Sequence, residues 1–380
     1  MQLALAEARR ASGRTAPNPP VGAVVYRAGE VLGRGHTRPP GGPHAERVAI
    51  ERALARHGAA RVRGASLAVT LEPCSHHGRT PPCAERVLEA GLARVYAGHL
   101  DPHPLVRGRG LARLRRAGVR AEAGVLESAC REQHRGFLSV QERGRPFVVL
   151  KLAASLDGRI ATAAGESRWI TGPAARDAVH RLRARADAVG VGSGTALADD
   201  PELTARRGAR LLASPTRVLF DSGLRLPPRA RLYRADGARR IAVCTRAAPL
   251  RRRRALEALG VELIRVAPRG GHADLGRALP ALARAGVCEL LVEGGGGLAA
   301  ALLAAGLVDE LHWFSAPRLL GAEARPALAD LGLARLADAP RLSIRKLRRV
   351  GADLWLVATA EPGPAAGRRT PRGGRREPGR

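Results

Sequence analysis

Cysteine is scarce in this chain, with five residues in 380. That is too few for a disulfide framework, and no N-terminal stretch has the charged start and apolar run of a secretory signal. The expectation is a cytoplasmic protein in a reducing setting, where Cys74 and Cys83 are thiols or metal ligands. Long apolar runs are missing too, and no segment approaches the roughly 18 uninterrupted apolar residues of a membrane span. Aromatic residues make up only 3%, so a core has to be built mainly from Ala, Val and Leu. Lysine is almost absent: Lys151 and Lys346 are the two lysines among 64 basic residues.

The formal charge of +30 resembles the footprint of a nucleic-acid binder. Its texture argues against that as a primary role, because arginine is spread over nearly every segment and not gathered on one stripe. Two stretches break the dispersal. "RRRR" at 251–254 reads as a solvated helix start, and the tail "EPGPAAGRRTPRGGRREPGR" (361–380), rich in Pro, Gly and Arg, reads as disordered.

A chain of 380 residues exceeds the roughly 250–300 at which one core splits, so two domains are expected. Short apolar strands alternate with helical patterns, the sign of α/β architecture. In the first half, "VGAVVY" (21–26), "SLAVTL" (66–71), "ARVYAG" (93–98) and 119–123 read as strands. Helices are expected at 44–58, from Cys83 to Ala90, and near 108–117. Residues 124–145 read as a polar, irregular connection around one short helix. The second half opens with the strand "FVVLKLAAS" (147–155) and continues through strands at 188–192, 216–221, 240–244, 261–266 and 288–293. It ends on "DELHWFS", "LSIRKLRRV" and "DLWLVA".

Chemistry concentrates in "EPCSHHGRTPPC" (72–83) and "PHAE" (43–46). His44 and Glu46 stand two apart at the start of one expected helix, Cys74 follows a strand, and Cys83 begins another helix, where the dipole favours a thiolate. One imidazole and two thiolates suit zinc, and three protein ligands leave the fourth tetrahedral position to water. Glu46 would stand beside that water as a proton carrier, as in the zinc nucleobase deaminases with H-x-E followed by P-C-x-x-C. Here eight residues separate the cysteines instead of two. A closed site with His76 or His77 as fourth ligand is the alternative on residue types alone. Cys130, Cys244 and Cys288 lack comparable partners and read as structural or incidental.

The long cysteine loop, with "TAPNPPVG" (15–22) and "PHAE", resembles the deaminase half of the bifunctional riboflavin-biosynthesis deaminase/reductase family. "LKLAASLDGRIATAAGESRWITG" (150–172), "DDPELTAR" (199–206) and "VEGGGGLAAALL" (292–303) are similar to its reductase half. The likeness covers about residues 3–358, and the N-terminus looks a few residues shorter than the family's. It implies a cytidine-deaminase-like three-layer α/β/α domain (1–123), the connection (124–145), a dihydrofolate-reductase-like α/β domain (146–360) and the tail (361–380). The implied reactions are zinc-dependent deamination of a diaminopyrimidinone ribosylamino 5-phosphate and NADPH-dependent reduction of its ribosyl C1. The expected partner is this small nucleotide and a further copy of the chain, not a membrane or a nucleic acid.

The same resemblance implies the remaining site residues. His44, Cys74 and Cys83 hold the metal, Glu46 carries protons, and Asn18, His36, His76, Arg79 and Thr80 line the first pocket. Arg79 and Thr80 also suit a phosphate as a charge and a hydroxyl. In the second half Lys151 lies in the pocket with Ser167, Arg183, Leu203, Arg206 and Glu293 near substrate. Ala153, Trp169, Thr195, Asp199, Ser222, Gly295, Gly296 and Gly297 lie near NADPH. "EGGGGL" follows a strand and opens a helix whose N–H groups suit a pyrophosphate, though it lacks the G-x-G-x-x-G order. Lysine at 151, where arginine is the rule, points to a compact charge or proton donor, while Asp200 reads as a loop-fixing residue. Two other readings are a nucleic-acid deaminase, against which the cysteine spacing and the second half count, and a non-catalytic scaffold, which should have lost ligands.

Overall fold

The computed structural model describes residues 1–75, 81–103 and 106–361. The tail expected to be disordered lies outside the described residues from 362 onward, as do His76, His77, Arg79 and Thr80.

The first half runs α1 (Gln2–Ala11), β1 (Gly22–Arg27), β2 (Glu30–His36), α2 (Ala45–Val62), β3 (Ser66–Val69), α3 (Cys83–Glu89), β4 (Arg94–Ala97), α4 (Arg109–Arg116) and β5 (Arg120–Glu122). Its five strands lie in the order β2-β1-β3-β4-β5, antiparallel at β2-β1-β3 and parallel from β3 to β5. The core is aliphatic, built on residues such as Val25, Ile50, Leu67, Val95 and Leu111. Strand β2, "EVLGRGH", is too polar and glycine-rich to be read as a strand from sequence. Its glycines explain why it is there: a Cβ at Gly33 or Gly35 would meet the carbonyl oxygens of Ala49 or Ala45 at 2.2 and 2.4 Å. Without side chains, α2 lies directly on the strand. That contact puts the end of β2 beside the start of α2. The helix expected to stop at Gly58 does break there, with φ 73°, and one further turn carries it to Val62.

The connection is not irregular. Residues 124–145 form α5 (Glu127–Gln133) and α6 (Arg135–Arg143), joined at the buried His134. Cys130, His134 and Leu138 are buried at helical spacing, so two polar-looking residues hid an inward-facing stripe. His134 meets Thr70 Oγ1 at 3.1 Å and His99 at 2.9 Å, and burial pushes its pKa down to about 3. Arg135 reaches the other way, to Glu289 at 3.0 and 2.9 Å and to Glu310 at 3.0 and 3.1 Å, lying over the Phe147 ring. The connection thus packs on both halves.

The second half runs β6 (Phe147–Ser155), α7 (Pro173–Arg183), β7 (Ala188–Gly192), α8 (Ser193–Asp199), β8 (Thr216–Phe220), β9 (Arg240–Thr245), α9 (Leu250–Ala258), β10 (Glu262–Val266), α10 (Leu275–Arg284), β11 (Glu289–Glu293), α11 (Gly296–Ala304), β12 (Glu310–Ala316), β13 (Leu342–Val350) and β14 (Asp353–Ala360). These strands form one nine-stranded sheet in the order β10-β9-β8-β7-β11-β6-β12-β14-β13. It is parallel from β10 to β12, and β14 and β13 close it antiparallel. Helices α10 and α11 bury one face, and α7, α8 and α9 the other. In such a sheet ligands gather at the carboxyl ends of the strands, where β6, β7, β8 and β11 deliver Ala153, Gly192, Asp221 and Glu293. No helix among the described residues is long and apolar enough to cross a membrane.

Candidate active sites

In the first half, three elements deliver three soft donors to one point. His44 is the extended residue preceding α2, Cys83 opens α3, and Cys74 follows β3. His44 Nδ1 stands 3.4 Å from Cys83 Sγ and 3.7 Å from Cys74 Sγ, and the three ligand atoms lie within 4.8 Å of one another. Bonds of about 2.0–2.1 Å to nitrogen and 2.3 Å to sulfur give N···S edges of about 3.6 Å in a tetrahedron. The three donors therefore fit zinc. Both sulfurs are free thiols, so the disulfide reading is excluded. The Cys83 backbone N–H donates to Cys74 Sγ at 3.3 Å. Hydrogen bonds from Cys83 and His44 pull the Cys74 thiol down to about 4, and its hydrogen bond to Cys74 raises His44 to about 9. Burial pushes the Glu46 carboxyl, in the first turn of α2, up to about 7. The donor set borders a cleft of about 330 Å³ lined by His44, Cys83, Arg47 and Arg86.

A carboxylate that the sequence reading passed over anchors this loop. Glu72 accepts the backbone N–H groups of Asp101, Gly108, Gly110 and Leu111 at 3.1, 2.8, 2.9 and 3.1 Å. Two of these belong to the start of α4, where a negative charge is favoured. A Cβ at Gly110 would lie 1.9 Å from the Pro73 carbonyl oxygen, so glycine lets the metal-bearing loop rest on that helix. Glu72→Gln turns an amide N–H₂ toward N–H donors and should cost about 2–4 kcal/mol. Urea unfolding with zinc titration checks this, the expected result being a lower midpoint and weaker zinc binding.

His36 ends β2 in register with Gly22, and Asn18 lies half-buried on the loop leading into β1. Both stand at the same edge of the sheet as the end of β3. His36 Nδ1 lies 2.9 Å from Glu7 Oε2. Glu7, a charge on the apolar face of α1 with Ala4, Ala8 and Ala11, is the kind of misfit that the sequence displays openly.

In the second half, register aligns Glu293 of β11, Lys151 of β6 and His312 of β12 in one row. Arg183, at the end of α7, makes a two-pronged bond to Glu293 at 2.5 and 2.8 Å and donates to the Thr204 carbonyl at 2.9 Å. Burial pulls the Lys151 ammonium below its ordinary pKa, with Glu293 opposing. Arg206 bonds to Thr204 Oγ1 at 3.1 Å and to Glu202 at 3.2 Å, and Leu203 is buried with φ 55°. Arg183 and Glu293 thus meet directly beside Lys151 in the strand register, with Leu203 and Arg206 adjoining through Thr204. Ser167 stands apart, half-buried on the loop before α7. Asp353, also passed over, accepts the Gly172 N–H at 2.7 Å and fixes the start of α7.

On the cofactor side, Gly295 caps α11 with φ 84°, and Gly296 and Gly297 form its first turn. A Cβ at Gly295 would lie 2.8 Å from Thr195 Oγ1, so that hydroxyl faces the glycine loop. Ala153 lies two residues beyond Lys151 on the same strand face. Ser222 follows β8 and accepts the Ala273 N–H at 2.8 Å. Trp169 is 62% exposed with Arg176 stacked 4.5 Å above it, and the Asp199 carbonyl accepts from Arg168 at 2.9 Å. Glycine N–H groups at a helix start, a facing hydroxyl and an exposed indole suit a dinucleotide. Asp200 accepts the Arg231 N–H at 2.8 Å, which ties its loop to the segment that follows β8.

Residues 1–99 match the family model for the cytidine and deoxycytidylate deaminase zinc-binding region. Residues 146–356 match the RibD C-terminal domain. The chain is 41% identical over 370 residues to riboflavin biosynthesis protein RibD of Escherichia coli (strain K12), covering 94% of this chain and 97% of that one. Among solved structures it is similar to Acinetobacter baumannii RibD, with TM-score 0.83 and 36% identity over 95% of this chain and 97% of that one. A Thermotoga maritima diaminohydroxyphosphoribosylaminopyrimidine deaminase/5-amino-6-(5-phosphoribosylamino)uracil reductase aligns with TM-score 0.82 and 33% identity, covering 95% of this chain and 97% of that one. With a three-donor metal site in one half, a lysine-carboxylate-arginine cluster in the other, and a relative that covers 94% of the chain, the chain belongs to the RibD family of riboflavin biosynthesis proteins.

Proposed function

We infer that this chain performs both steps of a bifunctional riboflavin-biosynthesis enzyme. It deaminates 2,5-diamino-6-(5-phosphoribosylamino)pyrimidin-4(3H)-one with zinc. It then reduces the ribosyl group with NADPH, giving 5-amino-6-(5-phospho-ribitylamino)uracil. The observation that carries this is the presence, in one chain, of the His44-Cys74-Cys83 donor set and the Lys151-Glu293-Arg183 cluster. We assign the division into domains to 1–123, 124–145, 146–360 and 361–380.

For the first step, zinc held by His44, Cys74 and Cys83 supplies the Lewis acidity that brings the pKa of water toward roughly 7. Glu46 takes the proton of the attacking water on a carboxylate oxygen and passes it to a ring nitrogen; it then takes the second proton, from the hydroxyl now on the carbon, and delivers it to the amine, so that the C–N bond breaks, the carbonyl forms and ammonia leaves. Asn18, His36 and His76 orient the pyrimidine, and Arg79 and Thr80 hold the phosphate.

For the second step, NADPH supplies a hydride to the ribosyl C1. Lys151 donates a proton to the ring oxygen as the C1–O bond breaks, so the sugar leaves open and the electron count closes. Arg183 and Arg206 hold the 5-phosphate with the N–H groups that their bonds to Glu293, Thr204 and Glu202 leave free, Glu293 aligns Arg183, and Ser167 and Leu203 complete the pocket. Ala153, Trp169, Thr195, Asp199, Ser222 and Gly295–Gly297 seat the cofactor.

One assay tests the whole. The purified chain with zinc receives the diaminopyrimidinone nucleotide and NADPH, and ammonia and NADPH are followed together. One equivalent of each per substrate is expected; consumption of neither overturns the assignment, and consumption of one overturns the matching half.

We further propose a homo-oligomer joined along β13. This nine-residue edge strand exposes Ile344 to 65% and Leu347 to 62%, and bare edges pair. Ile344→Asp with Leu347→Asp should halve the mass in sedimentation equilibrium; an unchanged mass refutes this edge as the joint.

A further inference from the structure

His180 lies one turn before Arg183 on α7, and both face the segment Leu203–Arg206. The two side chains grip opposite backbone groups there. Arg183 donates to the Thr204 carbonyl at 2.9 Å, and the Arg206 backbone N–H donates to His180 Nδ1 at 3.1 Å. A backbone N–H can only donate, so Nδ1 carries no proton and the ring is held as the neutral Nε2–H form. Burial first, and then the Arg183 charge, keep the imidazole below its ordinary pKa, against Glu293, Asp177 and the Thr204 carbonyl, so neutrality persists at pH 7. The gripped segment needs holding. Leu203 is buried in the left-handed region at φ 55°, a conformation that costs on the order of 1 kcal/mol or more in a leucine.

We propose that His180 is a positioning residue for the reductase step, fixing the backbone of Arg206 so that its guanidinium meets the 5-phosphate of the substrate. The inference rests on the reading that Arg206 binds that phosphate. The Arg206 guanidinium reaches Thr204 Oγ1 and Glu202, and Glu202 is bonded in turn to Arg231 at 2.6 Å, so these bonds tie the side chain to its neighbours and not to α7. Arg183 holds the segment at Thr204, and the His180 bond refers the Arg206 backbone itself to the same helix. Two arginines on separate elements clamp one phosphate only if those elements hold a constant separation, and His180 spans that gap.

The test uses full-length enzyme and 5-amino-6-(5-phosphoribosylamino)uracil, measuring KM and kcat for NADPH oxidation. His180→Ala should raise KM for the nucleotide about 5- to 10-fold, the worth of one positioning hydrogen bond. Its kcat should stay within about twofold, and KM for NADPH and the rate of ammonia release should not change. His180→Asn places an amide oxygen near the Nδ1 position and should restore most of the loss. His180→Gln carries its oxygen past that point and should not. In an Arg206→Ala background, His180→Ala should add little, because the group it positions is gone. If Arg206→Ala leaves KM unchanged, the phosphate reading fails and the inference falls with it. If Arg206→Ala raises KM while His180→Ala does not, or if Asn and Gln behave alike, the role of His180 alone is overturned. Should the alanine variant not fold, the Asn and Gln pair still decides.

Discussion

Glu46→Gln is expected to hold about one zinc per chain and to release ammonia at least 100-fold more slowly than the unaltered enzyme, with NADPH oxidation on already deaminated substrate unchanged. The carboxylate is the proton carrier for two transfers, to the ring and to the leaving amine. A single general acid-base contribution is typically about 100- to 10,000-fold, so a group serving both transfers should cost no less than the lower end of that range. Glutamine keeps the volume of a side chain that is 4% exposed, and the three metal donors His44, Cys74 and Cys83 all remain. Zinc content by elemental analysis therefore separates loss of the carrier from loss of the metal. A deamination rate equal to that of the unaltered enzyme would remove Glu46 from the mechanism. The double assay adds a control within one molecule, since the second site lies in another sheet and its chemistry does not pass through Glu46.

The metal donors were open to sequence reading because their chemistry is tied to local position. His44 stands just ahead of one helix and Cys83 opens another, and helix starts are marked by proline and by the onset of periodic apolar residues. The strands of the nine-stranded sheet were legible for a related reason. Parallel strands buried on both faces read as near-continuous apolar runs, such as Phe147–Ser155, interrupted by Lys151, and the Leu290–Val292 centre of Glu289–Glu293. Where structure depends on close approach, that signal disappears. Strand β2 exists because Gly33 and Gly35 admit α2, and a hydrophobicity pattern records nothing of the missing Cβ atoms. The helices of the connection bury Cys130 and His134, whose polarity masks an inward stripe. Glu72, His180 and Asp353 share another invisibility. Each bonds to backbone N–H groups far away in the chain, and a backbone donor has no residue identity to search for. The glycine loop at Gly295 has no standard dinucleotide order, so its link to NADPH came from family resemblance and not from spacing.

Lys151→Met should slow NADPH oxidation by about 100- to 10,000-fold while ammonia release proceeds at the unaltered rate. Lys151 stands between Glu293 and His312 in the strand register, at the carboxyl edge where the nicotinamide and ribosyl C1 meet in the proposed reaction. As the C1–O bond opens, an alkoxide develops on the sugar, and a positioned ammonium neutralises it by giving up a proton. Methionine keeps the unbranched shape and removes the charge. Glu293 stays compensated through its two bonds to Arg183, so the fold should survive the change, and a melting temperature within a few degrees of the unaltered value checks that. The pH profile supplies a second signature. A proton donor works only while protonated, so activity should fall as pH rises through the Lys151 pKa. Burial moves that pKa below the ordinary lysine value, which places the falling limb at lower pH than an exposed lysine would give. In Lys151→Met the limb should vanish from the residual activity. Lys151→Arg should not restore the rate, because a guanidinium is broader than an ammonium and does not release its proton near neutrality. A reductase rate unchanged in Lys151→Met, or an alkaline limb that persists without the lysine, would place the proton donor elsewhere in the pocket.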